Sequence, residues 1–367
     1  MRWRRDPMVD EPMVDKPVVR LGVVGFGRHF RRYLLPNVIA EPRLSIRKIA
    51  ELDPGLRAEA GCRFPGVRLV ERAEQVFGDP EVDAVLISTT PATHVPLAEA
   101  AVRSGKHVFV EKPLGTSAAP VRRLAEVGAE HGCAVMSGLM WRRAPVTQVV
   151  REWLAGRGAH TRLLNMTVTL PFIDLKPSWR GDWGLSLREN AYYDGFIHPI
   201  DWASSMLGPI GEAHARELDT GDGRLAVHLW IEGAARDRAG AVTLVTGSDA
   251  YDVTALGHAS DGSLWQMDTM QRVTVTAQPT WTGTPGGIRD RTTRCWEPGQ
   301  LYRGWGRYGY AEEFAAFAES VTSDAPTEGT DLDDVARTYD VIEAVMRSVA
   351  ERTTVQVPEP VPRRLPG

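Results

Sequence analysis

Cysteine is scarce in this chain, which has only Cys62, Cys133 and Cys295 among its 367 residues. An odd number of widely spaced cysteines argues against a disulfide framework and against a cysteine metal site. The sequence also lacks any apolar run long enough to span a bilayer. The basic residues at its start precede no apolar core segment, so no secretory signal is expected. We therefore expect reduced thiols in a cytoplasmic protein.

Neither acidic nor basic residues are in large excess over the other. The formal net charge is −4, with 25% charged and 43% hydrophobic residues. This balance gives no electrostatic reason to expect a nucleic-acid or membrane partner. Length and composition together indicate a globular chain of two or three domains.

The first structural motif is a glycine loop that follows a buried-strand pattern at residues 18–24. A helical stretch at residues 31–39 comes next. A strand, Gly-x-Gly and a helix are typical of a dinucleotide-binding unit, in which the first glycine permits the turn and the second admits a pyrophosphate. Phe30 replaces the third glycine of the fingerprint, which serves helix–strand packing. The cofactor-binding candidates here are Gly25, Phe26, Gly27, Arg28 and His29.

An acidic residue ends the next strand pattern, residues 44–51. Glu51 lies about twenty residues past the glycines, where the fingerprint places an acid on the adenosine ribose hydroxyls. A carboxylate repels a 2′-phosphate, so Glu51 favours NAD, with NADP as the alternative. Asp53 is the rival candidate for this role.

Strands and helices then alternate at short spacing. Strand patterns at residues 82–88, within the stretch 106–113 and at 133–137 are separated by helical patterns at 94–104 and 118–131. This alternation predicts a doubly wound parallel sheet, a Rossmann domain over residues 17–140. The middle strand ends at Glu111-Lys112-Pro113, at the carboxyl edge where such sheets bind ligands. A structural Glu–Lys pair is the alternative for these two residues.

The pattern changes beyond residue 140. A helix at 146–154 precedes strands with β-branched alternation at 162–170, 225–231, 241–246, 251–256 and 273–277. Helices at 311–321 and 331–351 follow. We expect an α+β domain with a largely antiparallel open sheet over residues 141–357, for substrate binding and oligomerisation. Residues 1–16 and 358–367 are expected to be a flexible and a loose tail.

These motifs resemble those of the Gfo/Idh/MocA oxidoreductases, the glucose–fructose oxidoreductase and inositol dehydrogenase family. The resemblance covers about residues 18 to 355. Its carriers are Gly25-Phe26-Gly27, Thr89-Thr90-Pro91-Ala92-Thr93-His94, Gly105-Lys106-His107-Val108, Glu111-Lys112-Pro113, Trp179-Arg180 and the run from Asp194 to Asp201.

The resemblance implies an NAD(P)-dependent dehydrogenase that acts on a sugar, sugar nucleotide or cyclitol. It assigns catalysis to Lys112, Asp194 and His198, implies a cis Lys112–Pro113 bond, and implies a homodimer or homotetramer paired through second-domain sheets. Further cofactor candidates are Thr89, Thr90, His94, Glu111 and Lys112. Substrate candidates are Lys112, Trp179, Arg180, Tyr193, Asp194 and His198.

Two departures from the family pattern concern the pocket. Thr90 stands where the family commonly has proline, and Arg188-Glu189-Asn190 stands where a glycine run is common. Glycines permit close approach of backbone to ligand, and side chains forbid it. A pocket different from that of the simple sugar dehydrogenases is therefore expected.

The residues around His198 suggest how the chemistry would proceed. Pro199 is tolerated in a first helical turn, so a helix is expected from residue 196 to 207 with His198 and Asp201 on one face. His198 is the natural general base, and Asp194 or Asp201 is expected to orient its ring and favour the charged form. Lys112 is expected to stabilise alkoxide character on the substrate.

Other interpretations remain open at this point. Asp194, His198 and Asp201 offer metal ligands, but no Cys–His cluster completes a zinc site, and no metal is expected. Arg180 and Arg188 suit either a substrate phosphate or a solvated loop, and Trp202 and Arg142 suit structural roles.

We predict an NAD-dependent oxidoreductase acting on a secondary alcohol or ketone of a carbohydrate-like molecule. The alternatives are a reductase of a non-sugar ketone or imine, and a nucleotide-sensing protein without catalysis. Retention of Lys112, Asp194 and His198 together argues against the sensor.

Overall fold

The structure is a computed structural model that describes residues 18–171, 185–219, 224–277, 292–298, 304–323 and 332–359. It contains a six-stranded sheet and a nine-stranded sheet with helices packed on both. The predicted combination of a Rossmann sheet with an α+β region is therefore confirmed. Trp179, Arg180, Trp183 and the predicted tail at 1–16 lie outside the described residues.

The first sheet is parallel throughout and has the order β3-β2-β1-β4-β5-β6. Its central strands are almost uninterrupted apolar runs, because helices cover both faces of a parallel sheet. The strands are β1 (Val19–Val24), β2 (Leu44–Ala50), β3 (Arg68–Val70), β4 (Ala84–Ile87), β5 (His107–Val110) and β6 (Val135–Ser137).

Helices connect these strands as the alternation predicted. Gly105 and Gly132 follow two of them with φ of +76° and +63°, the left-handed conformation that commonly ends a helix. The helices are α1 (Leu35–Ala40), α2 (Pro54–Arg63), α3 (Glu74–Phe77), α4 (His94–Arg103) and α5 (Ala118–Glu130).

The segment after the glycine loop departs from a single α-helix. A π-helical turn, Phe30–Leu34, precedes α1. Pro36 lies in the first turn of α1 and has no N–H to donate, so the regular α-helical ladder begins only there. Such π turns are frequent at functional sites.

The second sheet has the order β14-β13-β12-β11-β7-β10-β9-β8-β15. Its pairs are antiparallel except β7 with β10. The strands are β7 (Thr161–Leu170), β8 (Ile210–Asp219), β9 (Leu225–Gly233), β10 (Ala239–Thr246), β11 (Asp252–Ala259), β12 (Leu264–Asp268), β13 (Arg272–Ala277), β14 (Thr292–Trp296) and β15 (Val355–Gln356).

One face of this sheet is open. In β9, Val227, Leu229 and Ile231 are buried, whereas His228 and Trp230 are exposed, as the alternation predicted. The helices around the buried face and the domain junction are α6 (Pro145–Ala155), α7 (Leu187–Asn190), α8 (Ile197–Leu207), α9 (Tyr310–Thr322) and α10 (Leu332–Glu351).

The last two helices join the two sheets. Helix α9 packs on β1 and α1, and its Phe314 lies with its ring centroid 4.9 Å from that of Phe109 in β5. Helix α10 contacts both α5 and β8. The residue limits of the two domains stay a prediction, because this C-terminal part packs on both. Of the helices in the described part of the chain, none combines the length and apolarity required to cross a membrane.

Candidate active site

The glycine loop follows β1 and has the geometry that a bound pyrophosphate requires. Gly25 has φ +94°, and a Cβ there would lie 2.3 Å from the carbonyl oxygen of Ser88. Only glycine therefore fits this turn. A Cβ on Gly27 would meet nothing within 4 Å, so the backbone there faces open space. The residues present fit a dinucleotide phosphate at this loop.

Phe26 and Phe30 account for the missing third glycine. Both are fully buried, and their ring centroids lie 5.7 Å apart. In the fingerprint, a glycine at this position lets the helix pack closely on the strand. Here the buried Phe30 ring fills the space between the helix and the strand. Arg28 is exposed, and His29 Nε2 lies 3.5 Å from Oε1 of Glu111.

The carboxylate of Glu51 lies against the glycine loop. Its Oε2 accepts a 2.6 Å hydrogen bond from the Phe26 N–H, and its Oε1 accepts one of 2.9 Å from the Asp53 N–H. Asp53 caps helix α2 instead, because its Oδ1 accepts from the Leu56 N–H at 2.8 Å. Of the two rivals, Glu51 is the one that lies against the glycine loop.

The loop after β4 is tied to the end of β5 by a buried histidine. His94 is 2% exposed, and its ring nitrogens face the carbonyl oxygens of Pro113 at 3.0 Å and Thr89 at 3.2 Å. Burial lowers the pKa of His94, and a neutral imidazole can donate to only one of these oxygens. The structure thus shows His94, a predicted cofactor residue, linking two loops.

The hydroxyls beside His94 bond to each other. Thr93 Oγ1 lies 2.8 Å from Thr89 Oγ1 and donates to the carbonyl oxygen of Thr90 at 2.7 Å. Thr93 precedes helix α4, but its side chain does not cap the helix, because it accepts no N–H there.

Lys112 and Asp194 meet across the two halves of the molecule. Lys112 Nζ donates to Oδ1 of Asp194 at 2.7 Å and to the Asp194 carbonyl oxygen at 3.0 Å. Both side chains are mostly buried, at 14% and 17% exposure. Lys112–Pro113 is a cis peptide, as the family resemblance implied.

His198 lies in the first turn of α8, immediately before Pro199, and is 8% exposed. Its pKa is lowered well below the usual value, first by burial and then by the nearby charges of Lys112 and His29. The amine and the imidazole, which come from different parts of the chain, therefore lie close enough for the lysine charge to act on the histidine.

The expectation that an acid would orient His198 was wrong. Asp194 is bonded to Lys112, and Asp201 is held by Arg142, whose Nε and Nη2 donate to its two oxygens at 2.7 and 2.5 Å. Thr338 also donates to Asp201, at 2.8 Å. With both acids engaged elsewhere, a metal centre at these three residues has no supporting geometry, and no group of metal-ligating residues assembles within the described ranges.

The segment before Asp194 shows what replaces the family's glycine run. Arg188 Nε contacts the two oxygens of Glu217 at 2.7 and 2.9 Å, and the Tyr192 hydroxyl donates to the same carboxylate at 2.7 Å. Glu217 therefore neutralises Arg188. Tyr193 is buried and stacks on Tyr339 with ring centroids 6.2 Å apart.

Two residues at the site were not anticipated. Trp141 stacks on His198 with ring centroids 5.7 Å apart, and Glu313 of α9 is completely buried. The position of Trp141, just past the carboxyl end of β6, was the signal that could have found it.

Trp202, by contrast, is a buried core residue as expected, donating to Thr147 Oγ1 at 2.8 Å.

The described residues thus combine a parallel Rossmann sheet, a glycine loop, and a lysine and a histidine near its carboxyl edge. Residues 19–139 match the model of the Gfo/Idh/MocA family, described as an oxidoreductase family with an NAD-binding Rossmann fold. The match agrees with the family resemblance of the motifs in this part of the chain. The match also confirms the predicted NAD(P) class of cofactor.

Curated relatives agree with this placement. The chain is 35% identical over 189 residues to inositol 2-dehydrogenase of Acidothermus cellulolyticus, covering 50% of this chain and 51% of the relative. It is 31% identical over 193 residues to dTDP-3,4-didehydro-2,6-dideoxy-alpha-D-glucose 3-reductase of Streptomyces violaceoruber, covering 52% and 54%. The matches thus span about half the length of these relatives.

Solved structures show the same fold over nearly the whole chain. A dehydrogenase from Chromobacterium violaceum superposes with a TM-score of 0.81 at 20% identity, over 92% of this chain and 96% of that one. A levoglucosan dehydrogenase solved with NADH gives 0.76 at 19% identity, over 93% and 99%. At these identities the likeness concerns the fold alone.

Proposed function

We propose that this protein is an NAD(P)-dependent oxidoreductase that interconverts a secondary alcohol and a ketone of a sugar, sugar nucleotide or cyclitol. The observation that carries the proposal is the convergence of Lys112, fixed by Asp194, with His198 at the carboxyl end of β5. This edge of the sheet also carries the glycine loop. The relatives named as inositol 2-dehydrogenase and as a deoxysugar 3-reductase support the substrate class.

The cofactor site consists of the loop Gly25–Gly27 and Glu51. The loop backbone would hold the pyrophosphate, and the Glu51 carboxylate would accept from the ribose hydroxyls, which favours NAD over NADP. A bound nicotinamide supplies the hydride chemistry. Thr89, Thr90, His94 and Glu111 line or brace this edge through the contacts of the β4 and β5 loops.

Lys112 would act on the reacting oxygen. An ammonium has three N–H donors, and Asp194 takes two of them through Oδ1 and its carbonyl oxygen. The third is left for a substrate oxygen, where it stabilises developing negative charge. Asp194 thus orients the lysine, and this role replaces the one expected for it beside His198.

His198 would exchange the hydroxyl proton. Its lowered pKa keeps the imidazole neutral at neutral pH, so it is ready to accept a proton from an alcohol. General acid–base help of this kind contributes about 10²–10⁴ in rate.

We expect a substrate pocket that is polar and partly aromatic. Tyr193 lies one residue before Asp194. Aromatic rings can cover the apolar C–H face of a sugar. Because Glu217 neutralises Arg188, a phosphate-bearing substrate would need another cation, and a neutral polyol fits the described residues better.

We propose that subunits pair through the open face of the second sheet. Leu163 in β7, Trp230 in β9 and Leu256 in β11 are exposed on the central part of this face, at 45%, 41% and 36%. Asn165, Thr167, Thr243 and Gln266 share a depression on this face. A sheet face whose centre carries no Asp, Glu, Lys or Arg and is partly apolar suits a homodimer or homotetramer. The three free thiols, Cys62, Cys133 and Cys295, support a cytoplasmic location as part of the same proposal.

Turnover is tested by the absorbance of NADH near 340 nm during incubation with polyols, cyclitols and ketosugars. Lys112→Met and His198→Asn should abolish turnover while NADH binding, followed by fluorescence, persists. His131→Gln, at the exposed end of α5, is the matched histidine control and should retain full activity. Binding of NADH without turnover of any alcohol or ketone would favour a nucleotide sensor.

A further inference from the structure

Trp141 is the main aromatic neighbour of the His198 ring. The indole is 1% exposed, and the interplanar angle with the imidazole is 21° at a centroid distance of 5.7 Å. On the same stack, Tyr308 lies with its ring centroid 6.4 Å from that of Trp141, also at 21°. The imidazole is therefore one end of a three-ring stack.

The turn that carries Trp141 is fixed by close backbone packing. Gly309 has φ +98°, and a Cβ there would lie 2.3 Å from the carbonyl oxygen of Met140. The turn Gly304–Tyr308 thus lies directly against the turn Met140–Arg143. Arg142 in the same turn is anchored to Asp201 of α8. Trp141 consequently has little freedom to leave the histidine.

The imidazole has no acid to hold it. Its Nδ1 is buried without a hydrogen-bond partner among the described residues. We infer that Nε2 is the nitrogen that meets a substrate. The charged and titratable groups around it are Lys112 with Asp194, His29 with Glu111, Asp201 with Arg142, and Tyr308 behind the indole. Asp194 is bonded to Lys112 and Asp201 to Arg142, and Glu111 lies beside His29. None of these acids is bonded to His198.

We propose that Trp141 is the positioning residue for His198: its indole fixes the ring plane and excludes water, so that a neutral imidazole presents Nε2 to the substrate. This inference rests on the proposed function for its catalytic meaning. In other sites an acid fixes the ring plane by accepting a hydrogen bond from Nδ1. Here stacking on Trp141 fixes it.

The direction in which the pKa of His198 should change in a Trp141 variant follows from solvation. A buried imidazolium is costly, and water admitted by a smaller side chain would stabilise it. Replacing Trp141 by leucine should therefore raise the pKa of His198 toward its ordinary value, by about one pH unit or more. Replacement by phenylalanine keeps an aromatic face and should largely preserve the wild-type behaviour.

The test reads the histidine directly and does not require turnover. NMR titration of ¹³C-labelled histidine, with the His198 signal identified by its loss in His198→Asn, should show an upward shift in Trp141→Leu and little shift in Trp141→Phe. Trp153→Leu, a half-buried indole of α6 that packs under Arg157, is the matched control. An unshifted His198 titration in folded Trp141→Leu overturns the inference.

Kinetics supply the second measurement. With an alcohol substrate, the acid limb of the kcat profile should move to higher pH in Trp141→Leu, and kcat should fall more than KM rises. A lower kcat with an unmoved acid limb would mean that Trp141 is only structural. A further outcome is a wild type that lacks turnover with every substrate while Trp141→Leu still shifts the His198 titration. In that case the proposed function fails, and the positioning of His198 by Trp141 remains supported.

Discussion

Arg142 is the position where a single substitution should be most costly. It is 6% exposed and Asp201 is 1% exposed, and the guanidinium donates twice to this carboxylate. Arg142→Met would leave Asp201, among the described side chains, with the hydroxyl of Thr338 as its remaining donor. Removing one partner of a buried ion pair costs about 3–5 kcal/mol, because the other charge stays buried without compensation. That is a large share of the ~5–15 kcal/mol by which domains are stable.

The assay is urea denaturation followed by tryptophan fluorescence. The double variant Arg142→Met/Asp201→Asn removes the stranded charge and keeps an acceptor for Thr338, so it should recover at least about half of the lost stability. Arg347→Met breaks an exposed ion pair with Glu351 and should cost less than about 1 kcal/mol. A cost for Arg142→Met no larger than this control would refute the reasoning.

Three further predictions concern other parts of the molecule. Wild type should bind NADH more tightly than NADPH, and Glu51→Ala should reduce that preference by about tenfold in dissociation constants. Gly25→Ala should abolish NADH binding and cost more than about 2 kcal/mol in unfolding, because its Cβ meets the Ser88 carbonyl. Glu313→Gln should stabilise the protein at pH 8 and not at pH 4.

The reason for the Glu313 prediction is proton linkage. Burial raises the pKa of this carboxyl well above its ordinary 4.5, so the folded protein keeps a proton that the unfolded chain loses. Wild-type stability should therefore fall as pH rises above ~4.5, by up to about 1.4 kcal/mol per pH unit, until the folded pKa is passed. Equal pH dependence of unfolding in wild type and Glu313→Gln would contradict this.

The predictions for Gly25 and Glu51 have control variants within the chain. Gly66→Ala shares a φ of +95° but its Cβ would meet nothing within 4 Å, so it should cost only about 1 kcal/mol. For Glu51, the comparison is Asp53→Ala, which should weaken the cap of α2 and leave the NADH preference unchanged. A wild type that strongly prefers NADPH would show that Glu51 does not select the cofactor.

The elements of the first sheet could be predicted because each rests on a local pattern. Continuous apolar runs marked β1, β4 and β5, and the glycines at 105 and 132 marked helix ends. Lys112 and His198 were found through their motifs, since each lies at an element boundary that the sequence shows. The π turn after the glycine loop was missed, because it depends on where Pro36 falls relative to the buried Phe30.

The partners of the site residues could not be predicted in the same way. Asp194, at the entry of the predicted helix, and Asp201, on its face with His198, were alternative partners for this histidine, yet the first bonds Lys112 and the second Arg142. Those cations come from residues 82 and 59 positions away in the chain. Which charge meets which carboxylate is decided by how the two halves pack.

Sequence alone determined what depends on neighbours along the chain: the strand and helix alternation, the glycine turn, the acid at residue 51, and the motifs that carry Lys112 and His198. Only the tertiary structure decided that Asp194 holds the lysine and that Trp141 stacks on the histidine. The physical reason is that hydrogen bonds and ring contacts depend on distances of a few ångströms, which packing between remote segments sets and spacing in sequence does not.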